Sequence, residues 1–154
     1  MGVTLLKQVQ KLPVTIDVAW DFFSHPKNLA QITPPQLGLK FTNELFRDEA
    51  YPGQVLTYKV RPLLGIPLFW MTEITHVHKP HFFVDEQRKG PYSIWHHEHH
   101  FEAIEGGVLM TDIIHYQLPL GPLGSIGSGF VRKQLDDLFA FRRKKITELF
   151  GELA

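Results

Sequence analysis

Between Tyr92 and Gln117 the chain reads YSIWHHEHHFEAIEGGVLMTDIIHYQ, and the period of this stretch decides the fold. Large apolar residues alternate with polar ones on both sides of Glu105-Gly106-Gly107, the pattern of two half-buried strands joined by a tight turn. Alternate residues of a strand share a face, so Trp95, His97, His99 and Phe101 lie on one side and His96, Glu98, His100 and Glu102 on the other. Trp95 and Phe101 make the first side the inner one. Carried through the turn, the same parity places Met110, Asp112, Ile114 and Tyr116 beside His97 and His99, with Asp112 opposite or diagonal to His99. The outer His96/Glu98/His100/Glu102 face has no large apolar residue and reads as solvated strand surface. For the inner histidines three readings stay open: a satisfied buried pair, a pair that touches a ligand, and a metal site. A carboxylate beside an imidazole either favours the imidazolium or fixes the tautomer of the neutral ring.

Further strands are expected near 39–46, 54–62, 67–78, 81–88, 92–104 and 108–118, separated by Gly53, the PLLGIP bend, KP, KGP and EGG. Connections this short favour an antiparallel meander, because parallel neighbours need crossovers of about a dozen residues or more. Upstream, Val3 to Leu12 reads as another strand, stopped by Pro13. Thr15 then caps a short helix carrying Ile16, Ala19, Trp20 and Phe23, with Asp17 at its positive end. A second helical turn spans Asn28 to Ile32, ahead of Pro34 and Pro35.

Downstream, the Gly/Pro-rich loop Leu118–Gly129 is not a phosphate-binding loop, since no Gly-Lys-Ser/Thr follows it. The longest helix comes next and runs to Phe150. Its apolar stripe is Val131, Leu135, Leu138, Phe139, Ile146, Leu149 and Phe150, and Gly151 is placed to cap it. Arg142 falls inside that stripe, where it must snorkel out or meet an acid: Asp112, Asp85, Glu86 or an anionic group of a ligand. The expected fold is α+β. A curved antiparallel sheet of about seven strands wraps a long C-terminal helix, two short helices follow the first strand, and residues 1–154 form one domain. One helix cannot fill the concave side of such a sheet, so a cavity is expected between them.

Composition narrows the partners. Sixteen basic residues balance sixteen acidic ones, which argues against nucleic acid. The absence of cysteine excludes disulfides, thiolate metal sites and cysteine nucleophiles, and suits a reducing compartment. No apolar run approaches the roughly 20 residues that span a bilayer, and MGVTLLKQVQKLPV has no signal-peptide pattern, so a soluble cytoplasmic protein is expected. His97-Glu98 is followed by Phe101 where a helical zinc-protease motif needs histidine. His97-x-His99 is closer to the metal pair of cupin barrels, but no acidic ligand follows at the expected spacing. Neither a Gly-x-Ser-x-Gly elbow nor a dinucleotide fingerprint occurs. No cofactor and no metal is expected.

Three stretches, PVTIDVAWDFFSHPKNLAQITPP (13–35), FFVDEQRKGPYSIWHHEHHFEAIEGGVLMTDIIHYQLPLGPLG (82–124) and FVRKQLDDLFAFRRKKI (130–146), together resemble the SRPBCC superfamily. These are the START-like helix-grip proteins, which include relatives of the birch-pollen allergen and the polyketide cyclase/dehydrase group. The closer likeness is to bacterial ligand-binding SRPBCC domains. The resemblance implies an apolar cavity for lipids, polyketides, isoprenoids or similar compounds. In the family's inward register Tyr58, Trp70, Thr72, Phe83, Asp85, Gln87, Trp95, His97, His99, Asp112 and Tyr116 would face it, with Arg142 approaching from the helix. Two functions follow as expectations. One is binding or transport of a small hydrophobic ligand; the alternative is a metal-free cyclase/dehydratase in which His97, His99 and Asp112 move protons. A third class is an interaction protein with a packed cavity.

Overall fold

Runs of period-two residues form the sheet, and in the computed structural model it has seven antiparallel strands in the order β1-β7-β6-β5-β4-β3-β2. The strands are β1 (Thr4–Leu12), β2 (Lys40–Phe41), β3 (Val55–Leu63), β4 (Ile66–His78), β5 (Phe82–Lys89), β6 (Ile94–Ile104) and β7 (Gly107–Gln117). Helix α1 (Ile16–Phe23) and two 3-10 turns, Pro26–Ile32 and Pro35–Leu37, lie between β1 and β2, and helix α2 (Ser128–Phe150) follows the sheet. Residues 2–63, 65–119 and 127–154 are described, without the side chains of Pro62 and Leu63; most of the Gly/Pro-rich loop and part of the PLLGIP bend lie outside them. No described helix is long and apolar enough to cross a membrane.

The β6–β7 hairpin has the expected register, with Ile104 opposite Gly107 and His99 opposite Asp112. Its turn needs both glycines. Gly106 has φ +80°, and a Cβ on Gly107 would lie 2.0 Å from the Leu12 carbonyl oxygen. Register shifts at Met71/Thr72 and Ile74/His76 in the β4–β5 pair, and at Val60/Leu63 in β3–β4, increase the local twist and help the sheet to curl.

One expected strand is far shorter than 39–46. After the Thr42 N–H bonds the Thr57 carbonyl at 2.9 Å, the Asn43 side chain takes over the pairing, accepting from the Thr57 N–H at 2.8 Å and donating to the Val55 carbonyl at 3.0 Å. A side-chain amide that satisfies the neighbouring backbone removes the reason for the strand to continue.

The helices lie where the pattern predicts. The Thr15 hydroxyl accepts from the Val18 N–H at 3.3 Å, and α1 buries Ala19 and Trp20. At 23 residues α2 is roughly 35 Å long, enough to cross the sheet. It buries Leu135, Phe139 and Ile146 against the concave face, and the Gly151 N–H closes it on the Thr147 carbonyl at 2.8 Å. Gln10 of β1 ties it down, donating to the Arg143 carbonyl at 3.2 Å and the Thr147 hydroxyl at 3.1 Å. Leu149 departs from the expected stripe. It is exposed.

The core divides into two clusters. One joins α1 to the β6–β7 turn through Trp20, Phe83, Phe101, Met110 and Ile146; the other joins Leu6, Trp95, Ile114 and Tyr116 to Leu135 and Phe139 of α2.

Candidate functional site

A cavity of about 220 Å³ opens between the concave face, α2 and the first 3-10 turn. Drug-sized pockets run to about 300–1,000 Å³, so this space suits a small compound. Phe22, Leu29 and Ile32 close one side, Leu56, Val60 and Trp70 line the strands, and Leu135, Leu138 and Phe139 form the helical wall.

Against this apolar lining stands one polar cluster. His97 and His99 point inward from β6 with their rings stacked, centroids 3.7 Å apart. Phe83 stacks on His99 as well, at 4.0 Å, so His99 lies between two flat rings. Asp85 is the ladder partner of His97, and Asp112 is that of His99. Each carboxylate nevertheless bonds the diagonal histidine. His99 Nε2 meets Asp85 Oδ2 at 2.6 Å, and His97 Nε2 meets Asp112 Oδ1 at 2.7 Å. The two longer approaches, His97 Nδ1 to Asp85 at 3.7 Å and His99 Nδ1 to Asp112 at 3.5 Å, close a ring in which acids and imidazoles alternate.

Burial raises the pKa of both carboxyls, but imidazole hydrogen bonds and the surrounding positive charge outweigh it. Asp85, bonded by His99, and Asp112, bonded by His97, are both held below the usual aspartate value, with Arg142 contributing. Both therefore accept, and the imidazole Nε2–H groups donate. Burial, reinforced by the neighbouring His97, lowers the His99 pKa despite Asp85 and Asp112. His99 is accordingly a neutral ring with Nε2 protonated. Burial likewise lowers the Arg142 pKa, against the pull of Asp112, Asp85 and Tyr58. Burial raises the pKa of Tyr58, whose hydroxyl is 3.3 Å from the Thr72 hydroxyl.

Arg142 lines the cavity without the acid partner expected for it. Its Nε reaches the Ile32 carbonyl at 3.5 Å and its guanidinium lies over the Phe139 ring at 5.2 Å, but it forms no ion pair with a described residue. Asp85 and Asp112 are held by the histidines, and Glu86 faces outward to His96 and Arg88.

Tyr58, Trp70, Thr72, Phe83, Asp85, Trp95, His97, His99, Asp112 and Arg142 all line this cavity. Gln87 and Tyr116 do not. The Gln87 amide is consumed by Tyr92, donating to its carbonyl at 2.6 Å and accepting from its N–H at 3.0 Å. Tyr116 is packed behind Tyr92 and Trp95, in the second core cluster. On the outer face His96 bonds Glu86 at 2.7 Å and Glu98 at 3.3 Å, and His100 bonds Glu98 at 2.7 Å. The two histidine pairs thus belong to separate networks.

No family model and no curated protein matches the sequence. Solved structures do match in shape. A protein from Arthrobacter aurescens superposes with a TM-score of 0.70 at 14% identity, over 96% of this chain and 92% of that one. Protein Ms6760 from Mycobacterium smegmatis gives 0.66 at 17% identity, over 97% and 96%. Ginseng major latex-like protein 151 from Panax ginseng gives 0.63 at 13% identity, over 97% and 99%. The chain has the helix-grip fold. Identities this low carry the fold alone.

Within the helix-grip frame, the sequence reading missed the residues that close the cavity from the front: Phe22, Leu29, Ile32 and Thr33. The apolar spacing of Phe22, Leu29 and Ile32 carries a signal, but the last two sit in a 3-10 turn, which has no sheet parity to say where its side chains go. Asp85, His97 and His99 also offer one donor atom each within 4.8 Å of one another. The triad could take a divalent cation, with Asp112 holding the His97 ring from behind, provided His99 gave up its bond to Asp85.

Proposed function

We propose that this helix-grip chain binds or carries a small hydrophobic compound, such as a lipid, polyketide or isoprenoid, in the space between sheet and α2. One observation carries this reading: a largely apolar cavity of about 220 Å³ with its charged groups confined to a single cluster. A protein with nothing to bind gains by filling such a space, because interiors pack densely and voids cost stability. Apolar walls suit the body of a ligand, and a few fixed polar groups suit its orientation. The fold supports the same reading, being one that serves ligand binding in general.

Native mass spectrometry of protein purified without detergent tests it. The expected spectrum shows a fraction of the protein carrying a small organic adduct, which organic extraction releases. Adduct-free protein from several expression hosts, together with no binding of apolar probes, would refute it.

A second reading rests on the His–Asp ring. A neutral His99 at the cavity wall, paired with an ionised Asp85, can exchange protons with a bound carbonyl compound, as a cyclase or dehydratase requires. Turnover of an aromatic polyketide substrate that is lost in His99→Ala, with the fold retained, would support it. Unchanged turnover would remove His99 from that role.

A further inference from the structure

The cavity contains one cation that no described acid contacts directly; Asp85 and Asp112 act on it only through space. A guanidinium brings five N–H donors, and Arg142 presents its own, half-buried, at the cavity wall. Arg142 has only the 3.5 Å contact to the Ile32 carbonyl and the face of Phe139 among the described residues. The nearby acids do not serve it, since each carboxylate is engaged by an imidazole at 2.6 or 2.7 Å. Trp70 adds a second observation. It lines the same cavity, and its indole N–H is buried with no partner among the described residues. Around this space the donors stand open while the strong acceptors are taken.

We infer that the ligand carries an acidic head group, a carboxylate or an equivalent oxyanion, which pairs with Arg142 while its hydrocarbon body lies against the apolar wall. This rests on the ligand-binding reading above and narrows it. A neutral alcohol would leave the guanidinium without a directly bonded counter-charge, and an ammonium group would offer it no acceptor. A planar carboxylate matches the two-pronged geometry of arginine and makes the stronger, charge-assisted bonds. Asp85 and Asp112 each direct a carboxylate oxygen onto an imidazole N–H group, which leaves Arg142 as the group of the lining that can meet such a head group. The helix sets the position of the pair. Arg142 lies one turn beyond Leu138 and Phe139, so a chain bound along those residues places its end at the guanidinium.

Sodium octanoate and 1-octanol have the same chain length and differ at the head, and titrating each at pH 7.5, followed by tryptophan fluorescence and calorimetry, tests the inference. Octanoate is expected to bind roughly 10- to 100-fold more tightly than octanol, the range for a hydrogen bond to a charged partner. Arg142→Met is expected to bring that ratio to about one. Arg142→Lys, which keeps the charge without the fork, is expected to retain part of it. Circular dichroism reports whether each variant is folded, and the lysine variant carries the test if the methionine variant is not. Equal binding of acid and alcohol by the unaltered protein would overturn the acidic head group and leave the carrier reading standing. A preference for octanoate that survives Arg142→Met would overturn the role of Arg142. Binding of neither compound would overturn both readings together.

Discussion

Replacing Asp112 with alanine removes the acceptor of a buried charge-assisted bond, and the structure sets the scale of the cost. The side chains of His97 and Asp112 are 6% and 11% exposed and lie 2.7 Å apart. A hydrogen bond to a charged group contributes about 1.5–3 kcal/mol net, and leaving its buried partner without an acceptor adds about 1–3 kcal/mol. Asp112→Ala should therefore cost about 3–5 kcal/mol, as expected when one half of a buried pair is deleted. His97→Ala should cost a similar amount, because among the described residues it leaves Asp112 with only the 3.5 Å approach of His99. The double variant leaves no orphan from this pair, so its cost should fall short of the sum by about 1.5–3 kcal/mol. Urea denaturation at pH 7.5 measures all three. With a slope of about 2 kcal/mol per molar urea, each single variant should unfold about 1.5–2.5 M earlier. If the two costs add to within about 0.5 kcal/mol, His97 and Asp112 do not depend on each other and the ring described above is wrong.

Acid should destabilise the fold in two stages. Asp85 and Asp112 are held below their ordinary value, so the stability they contribute is complete above about pH 4 and is lost as the pH falls through their folded values. His99 is also lowered, so its contribution begins to fall below about pH 6.5; a urea midpoint constant from pH 7 down to pH 3 would contradict both assignments. Ile146 is 1% exposed and touches the first core cluster, so Ile146→Ala should cost about 2–5 kcal/mol and lower Tm by about 5–15 °C; a drop of less than about 2 °C would show that α2 does not anchor there. His96→Ala, on the outer face with a side chain 34% exposed, should cost less than about 1 kcal/mol, and a cost equal to that of His97→Ala would erase the distinction between the two faces.

What the sequence discloses here follows from periodicity. Trp95 and Phe101 orient β6, the EGG turn carries that orientation into β7, and these two facts place His97, His99 and Asp112 on one face before any coordinates are known. Parity cannot say which carboxylate bonds which imidazole. The ladder sets Asp85 opposite His97, yet side-chain reach joins Asp85 to His99. Gln87 shares the inward parity of Asp85, but Tyr92 from the following loop occupies its amide, and loop geometry is not periodic. The segment 39–46 looks like a strand by composition. A single amide, that of Asn43, ends the pairing after Phe41. Arg142 stands out in the apolar stripe of α2, but only packing shows that both candidate acids are already engaged.

The same residues explain why the cavity persists. His97, Asp112 and Arg142 occupy positions where strand and helix patterns call for apolar side chains, and they lie where the two core clusters would otherwise merge. Leucine and phenylalanine at those positions would fill the space, and replacing a buried ionic network by well-packed apolar residues is often neutral or stabilising. Stability alone therefore gives no reason to keep the ring or the guanidinium. The ring has an internal logic, because its two acids and two imidazoles satisfy one another. Arg142 has none within the described protein, and a departure from local rules without a compensating partner is the mark of a site that something else completes. An acceptor supplied from outside completes the hydrogen bonds of the guanidinium, and the lining admits one best if it arrives on a short hydrocarbon body.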